Sequence, residues 1–146
     1  MKTKFRLQTV HDLARERNDT AAAQLGTLNS EAARAEAKLN LLLQYREEYR
    51  ERYRVAVKNN LHSAGWQNFR DFLDKLDEAI EQQRAAVLVS KEAVQQGRTE
   101  WQSTQRDVRA YDTLAERHER AEAYRSKQVD QRLMDELASR KHNRNR

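Results

Sequence analysis

Apolar residues recur every seven positions in two long stretches of this chain, and the repeat is rarely interrupted. In the first stretch the series reads Ala14, Ala21, Leu28, Ala35, Leu42, Tyr49 and Ala56. In the second it reads Trp66, Leu73, Ile80, Val87, Val94, Trp101, Val108 and Ala115. A strict seven-residue repeat of this length is typical of a coiled-coil seam. Two seams with one break between them predict an all-α fold, a long two-helix antiparallel coiled-coil hairpin.

The break between the seams is the segment 59–65, which is rich in Asn, Ser and Gly and therefore suited to turn conformations. The rest of the chain has no proline and little glycine, so nothing else ends a helix. We predict one hairpin over residues 1–146. Helix 1 spans about 3–59, the turn about 60–65 and helix 2 about 66–140, and residues 141–146 form a frayed basic tail.

The register of the hairpin is not decided by the apolar repeat. The second series of helix 1 includes Leu25, Leu39 and Tyr53, and that of helix 2 includes Phe69 and Leu76. Opposed residue numbers can sum to 129 or, after a slip of one heptad, to 122. The first register would place His11 and His118 in one layer. We interpret such a layer as a polar device that fixes the register rather than as a metal site.

The composition restricts the functions open to the chain. Only 38% of the residues are apolar and 35% are charged, so the chain can bury a narrow seam but no thick core. It has no cysteine, no glycine-rich phosphate loop and no metal-ligand spacing. We therefore expect no enzyme activity, cofactor, metal or small-molecule substrate. Residues 1–10 do not resemble a signal peptide, and the sequence indicates a soluble, intracellular protein.

The net charge of +5 is concentrated at the two ends of the chain. Residues 1–10 carry +3 and residues 139–146 carry +4, which leaves −2 for residues 11–138. A hairpin would bring these basic ends together, where they offer a site for nucleic acid or for an acidic protein. Acidic residues alternate with arginine elsewhere, as on a solvated helix surface, so nucleic acid is the less favoured partner. Trp66 and Trp101 lie on a seam column and are predicted core residues rather than platforms for bases.

One flank near the turn is unusually apolar for its predicted exposure. We call it the apolar strip, and it comprises Leu42, Tyr45, Tyr49, Phe72, Leu76, Ala79 and Ala86. The opposite flank carries mainly charged residues, as expected beside a coiled-coil seam. An exposed apolar strip often marks a binding surface. The alternative is that Tyr45 and Phe72 fold over a thin seam and shield it.

Short motifs spread over the whole chain resemble those of the flagellar export protein FliJ family. They are Phe5-Arg6-Leu7-Gln8, Leu13-Ala14-Arg15-Glu16, Leu42, Tyr45, Tyr49-Arg50, Trp66-Gln67-Asn68, Phe72-Leu73, Leu76, Ala79-Ile80-Glu81-Gln82, Trp101 and Met134-Asp135-Glu136-Leu137-Ala138. Each motif is weak alone, because coiled coils resemble one another easily. Their order and spacing make the resemblance specific.

The resemblance implies a non-enzymatic part of the flagellar type III export apparatus, similar to the central stalk of rotary ATP synthases. Such a protein sits in the hexameric export ATPase and promotes its assembly and activity. It also contacts the export-gate protein FlhA and export chaperones. Its location would be cytoplasmic, at the inner membrane of the flagellar base, with membrane contact only through the gate. A generic tethering coiled coil and a nucleic-acid-binding hairpin remain the alternatives.

The resemblance also implies two sets of site residues. The gate-binding set comprises Leu42, Tyr45, Tyr49, Phe72, Leu76 and Ala79. The end expected at the ATPase ring comprises Lys2, Lys4, Arg6, Asp135, Glu136, Arg140, Lys141, Arg144 and Arg146. The basic members of the second set are assigned from their charge as well as from the resemblance.

Overall fold

The computed structural model describes residues 6–59 and 63–145, with only the backbone described at residues 63 and 64. Two α-helices make up nearly all of this part of the chain, and it contains no strand. Helix α1 spans Gln8–Lys58 (51 residues) and helix α2 spans Ser63–Arg144 (82 residues). The two helices pack against each other, which confirms the predicted all-α helical hairpin.

The helix bounds differ from the predicted ones at three places. Helix α1 begins at Gln8, after a turn at residues 6 and 7. Helix α2 begins at Ser63, so Gly65 is helical rather than part of the turn. At its other end the helical conformation of α2 extends to Arg144, beyond the predicted end near residue 140. The Asn145 N–H there is shared between the carbonyls of Lys141 and His142, a common arrangement at helix ends.

The contacts group into two compact units. The terminal unit contains Met1–Asp19 and Gln102–Arg146, and the turn unit contains Thr20–Trp101. In each unit a stretch of α1 packs antiparallel against a stretch of α2.

The side chains turned inward are those of the predicted seven-residue series. Five of them are buried hydrophobic residues: Ala14, Ala21, Leu76, Ile80 and Val87. Only Ile80 is almost completely enclosed, with 1% of its surface exposed. Most other members of the series, including Trp101, are half-buried. The prediction was wrong for Trp66, which is 40% exposed and has the Arg70 guanidinium 5.3 Å from its ring centre.

Polar and aromatic contacts give the register of the turn unit. Arg46 Nη1 lies 3.5 Å from Asp77 Oδ1, and the rings of Tyr53 and Phe69 are 5.5 Å apart. The residue numbers in these two pairs sum to 123 and 122. The turn unit therefore adopts the second of the two possible registers.

The terminal unit has the same register, and two polar layers mark it. The amide of Asn18 donates to Thr104 Oγ1 at 3.0 Å, and His11 Nε2 lies 2.6 Å from Asp112 Oδ1. The polar layer containing His11 is thus completed by Asp112. The layer of His11 with His118 that the first register would have produced does not form.

Gly97 occupies a seam position where the helices approach closely. A Cβ atom added there would lie 2.7 Å from Leu28 Cδ1 and 3.6 Å from Leu25 Cδ1. The same addition at Gly26, also within a helix, meets nothing within 4 Å. An added methyl group would therefore displace a neighbouring side chain at Gly97 but not at Gly26.

We predict that Gly26→Ala raises the free energy of unfolding by about 0.5–1 kcal/mol, because alanine favours the helix over glycine. Gly97→Ala should gain less, since the Leu28 side chain has to move to admit the new methyl group. Urea unfolding followed by circular dichroism measures both variants. A larger gain at Gly97 than at Gly26 would contradict the close approach described here.

Candidate functional site

The apolar strip lies in the turn unit, and its members differ widely in exposure. Tyr45 and Phe72 are the most accessible of the large ones, with 56% and 45% of their surface exposed. Leu42, Tyr49 and Ala79 are half-buried, and Leu76 is buried in the seam. A partner that approaches this flank would therefore meet two aromatic side chains first, with the seam residues behind them.

Four aromatic rings around the strip form a continuous series of contacts. Tyr49 lies 4.2 Å from Phe72 and 4.9 Å from Phe69 between ring centres, and Phe69 also contacts Tyr53. Phe72 thus packs against a seam residue, so it shields the seam in part and presents its remaining surface to solvent. Phe69 and Tyr53 were not among the predicted site residues. Their only signal was an aromatic residue on each facing seam column.

The flank opposite the strip carries a set of ion pairs. Arg46, on the seam of α1, reaches Asp77, and Lys91 lies 3.9 Å from Glu36 across the helix pair. Within single helices, Arg50 pairs with Glu47 and Arg84 with Glu81. The Arg46–Asp77 pair is part-buried, and the other three pairs are exposed. Exposed ion pairs contribute little stability each, but they make the flank polar. The two sides of the turn unit are therefore chemically different.

The second predicted set, at the chain ends, is only partly described. Lys2, Lys4 and Arg146 lie outside the described residues. Arg6 is exposed, as are Asp135, Glu136, Arg140, Lys141 and Arg144 on α2. One ion pair joins members of this set, between Arg140 Nη2 and Glu136 Oε1 at 3.3 Å. The structure brings no other described pair from this set within salt-bridge distance.

The part of α2 that carries these residues is exposed all round. Every side chain from residue 123 to residue 145 is exposed, whereas Glu122 is still half-buried. The exposed residues include five large apolar ones: Tyr124, Val129, Leu133, Met134 and Leu137. The end of α2 therefore presents apolar as well as charged surface.

A buried polar group distinguishes the terminal unit. The His11 side chain is only 3% exposed, and the Asp112 carboxylate that it contacts also lies 3.5 Å from Arg15 Nη2. Beside this cluster is a groove of about 250 Å³, lined by Val10, Leu13, Ala14, Arg17, Thr104, Asp107, Ala110 and Tyr111. Within residues 6–59 and 63–145 no three His, Cys, Asp or Glu residues are placed to hold a metal ion.

The geometry is that of an all-α helical hairpin whose two units present different surfaces. Its sequence matches the profile of the family described as "Flagellar FliJ protein" over residues 3–146. A flagellar FliJ protein of Salmonella typhi is 32% identical over 134 residues, which is 92% of this chain and 91% of that protein. The corresponding protein of Escherichia coli (strain K12) is 31% identical over the same shares of the two chains.

These matches show that the chain belongs to the flagellar FliJ protein family. It is therefore a component of flagellar protein export, in a family that is not known for enzyme activity. Neither helix, in the part of the chain that the structure describes, has a segment long and apolar enough to span a membrane.

We predict that Asp112→Ala lowers the free energy of unfolding by about 1–2 kcal/mol, because it removes a close polar partner from the buried His11 ring. Asp107→Ala is the matched control. Asp107 is an exposed carboxylate on the same helix, and its loss should change stability by less than about 0.5 kcal/mol. Thermal and urea unfolding measure both variants. Equal effects of the two substitutions would show that the His11 contact contributes nothing to stability.

Proposed function

We propose that this chain is a non-enzymatic, stalk-like component of the flagellar export apparatus. In this proposal one end of the helix pair inserts into the hexameric export ATPase and promotes its assembly and activity. The turn unit binds the export-gate protein FlhA, and the protein also engages export chaperones. It would act at the cytoplasmic face of the inner membrane and contact the membrane only through the gate.

The observation that carries the gate proposal is the exposure of Tyr45 and Phe72, two large aromatic side chains that lie beside the seam residues of the apolar strip. Large aromatic side chains that bury well in a partner often dominate binding energy. Every member of the apolar strip except Ala86 is a position to which the family resemblance assigned gate binding. The charged opposite flank would remain in solvent.

The proposal for the ATPase end is supported by charge. The basic residues at the chain ends contrast with the net negative charge of residues 11–138. Arg140, Lys141 and Arg144 extend from an exposed helix, and Arg140 is the one of the three in a described ion pair. Exposed charges of one sign accelerate and orient association with an acidic opening, and salt weakens the effect.

For the gate surface, we predict that Tyr45→Ala and Phe72→Ala together weaken FlhA binding about 10- to 30-fold, the loss that an aromatic hot spot typically produces. The single variants should differ in stability. Tyr45→Ala should change the free energy of unfolding by less than about 0.5 kcal/mol. Phe72→Ala should lower it by about 1 kcal/mol, because Phe72 packs against Tyr49.

Calorimetry with FlhA in nanodiscs measures the affinity, and urea unfolding measures the stability. Leu88→Ala is the matched control, because Leu88 is a large exposed apolar residue of the turn unit outside the apolar strip. Wild-type affinity in the double variant would reject the gate surface. A strong loss of stability on replacing Tyr45 would instead favour shielding of the seam.

For the ATPase end, we predict that deleting residues 139–146 lowers stimulation of the export ATPase several-fold at low salt. The difference from wild type should shrink as salt rises, since screening removes the same steering from the intact chain. FlhA binding should not change.

The matched control neutralises Arg54, Lys58 and Lys75, which lie in the turn unit. It removes three positive charges, against the four that the deletion removes. Replacement of these three residues by glutamine should leave ATPase stimulation unchanged. Steady-state ATP hydrolysis across a salt series measures each variant. Full stimulation by the truncated chain at every salt concentration would reject a seating role for the basic end.

A further inference from the structure

Phe69 holds a central place among the aromatic rings of the turn unit. It is half-buried on the seam of α2, and it contacts two residues of α1, Tyr49 at 4.9 Å and Tyr53 at 5.5 Å between ring centres. Tyr49 in turn contacts Phe72 at 4.2 Å. The exposed Phe72 is thus connected to Phe69 through one intervening ring.

The seam alone does not require an aromatic residue at this position. The next positions of the same column hold Leu76, Gln83 and Ser90, and the helices remain paired there. A leucine at position 69 would supply apolar surface to the seam. It would not supply the flat faces and edges with which aromatic rings fix one another's tilt. Packing of the seam alone therefore does not explain why position 69 is a phenylalanine.

Tyr49 is the residue through which Phe69 could influence the position of Phe72. Its ring packs against both Phe69 and Phe72, at interplanar angles of 47° and 40°. Close packing restricts the rotamers that a half-buried side chain can adopt. When Phe69 is present, Tyr49 is confined from the seam side, and Phe72 has a defined surface to rest on.

We propose that Phe69 is a positioning residue for the apolar strip, acting through Tyr49 on the exposed ring of Phe72. Phe69 itself need not touch the partner. It reduces the number of side-chain conformations that the strip loses when it binds, and this preorganisation raises affinity. This inference rests on the proposed binding of FlhA by the strip.

The test compares Phe69→Leu with Phe69→Tyr and with Val87→Ala. The first removes the ring but keeps an apolar seam, and the second restores a ring. The third truncates a buried seam residue of the same unit and so controls for lost stability. Each protein is assayed for FlhA affinity by calorimetry, well below its melting temperature. The Tyr49 and Phe72 ring resonances are recorded by NMR without the partner.

We expect Phe69→Leu to shift or broaden the Tyr49 and Phe72 ring resonances and to weaken FlhA binding about 3- to 10-fold, on the scale of the lost ring contacts. Phe69→Tyr should restore both properties. Val87→Ala should change neither, although it melts earlier.

Two results would overturn the inference, and they are distinguishable. If Phe69→Leu binds FlhA as wild type while the Tyr45 and Phe72 double variant does not, the strip binds the gate but Phe69 does not position it. If the double variant also binds as wild type, the gate surface itself is wrong and the inference fails with it.

Discussion

Two helices that share a seam can only be held in place by the side chains that meet along it. Here that seam is thin, since Ile80 alone is fully enclosed and most of its other members keep part of their surface in water. Apolar side chains at seven-residue spacing fit equally well after a slip of one heptad. What distinguishes one register from the other is the set of polar partners. His11 meets Asp112 at 2.6 Å, and Asn18 donates to Thr104 at 3.0 Å. A slip would separate these groups and leave buried polar atoms without their partners, which is costly.

The sequence predicted the helix pair and its inward faces because the seven-residue period is a direct consequence of helix geometry. It did not predict the register, since that depends on partners across the seam which no local pattern identifies. It also placed Trp66 in the core. That series continues to the start of α2, where the structure leaves the ring 40% exposed beside Arg70. Similarly, Ser63 and Gly65 read as turn residues, yet α2 begins at Ser63.

The apolar strip shows how far the residues themselves could identify a site. Its apolar character on a charged helix pair was visible in the sequence, and the structure places Tyr45 and Phe72 in solvent. The contact between Phe72 and Tyr49 was not visible, because it depends on the register. The two exposed aromatic residues of the strip differ in their contacts. Phe72 covers the seam and is exposed, whereas Tyr45 is exposed and has no described ring contact.

The end of α2 has a thermodynamic consequence. From residue 123 to residue 145 the helix has no buried side chain to hold it, because every side chain there is exposed. Helical segments without tertiary contacts open by local unfolding at little cost, so their amide hydrogens exchange faster than those of packed helix. The boundary between slow and fast exchange should therefore fall near Glu122. A partner that encloses this segment would have to offset the conformational entropy lost when the segment is ordered. Its affinity would therefore depend on how much of the segment is helical before binding.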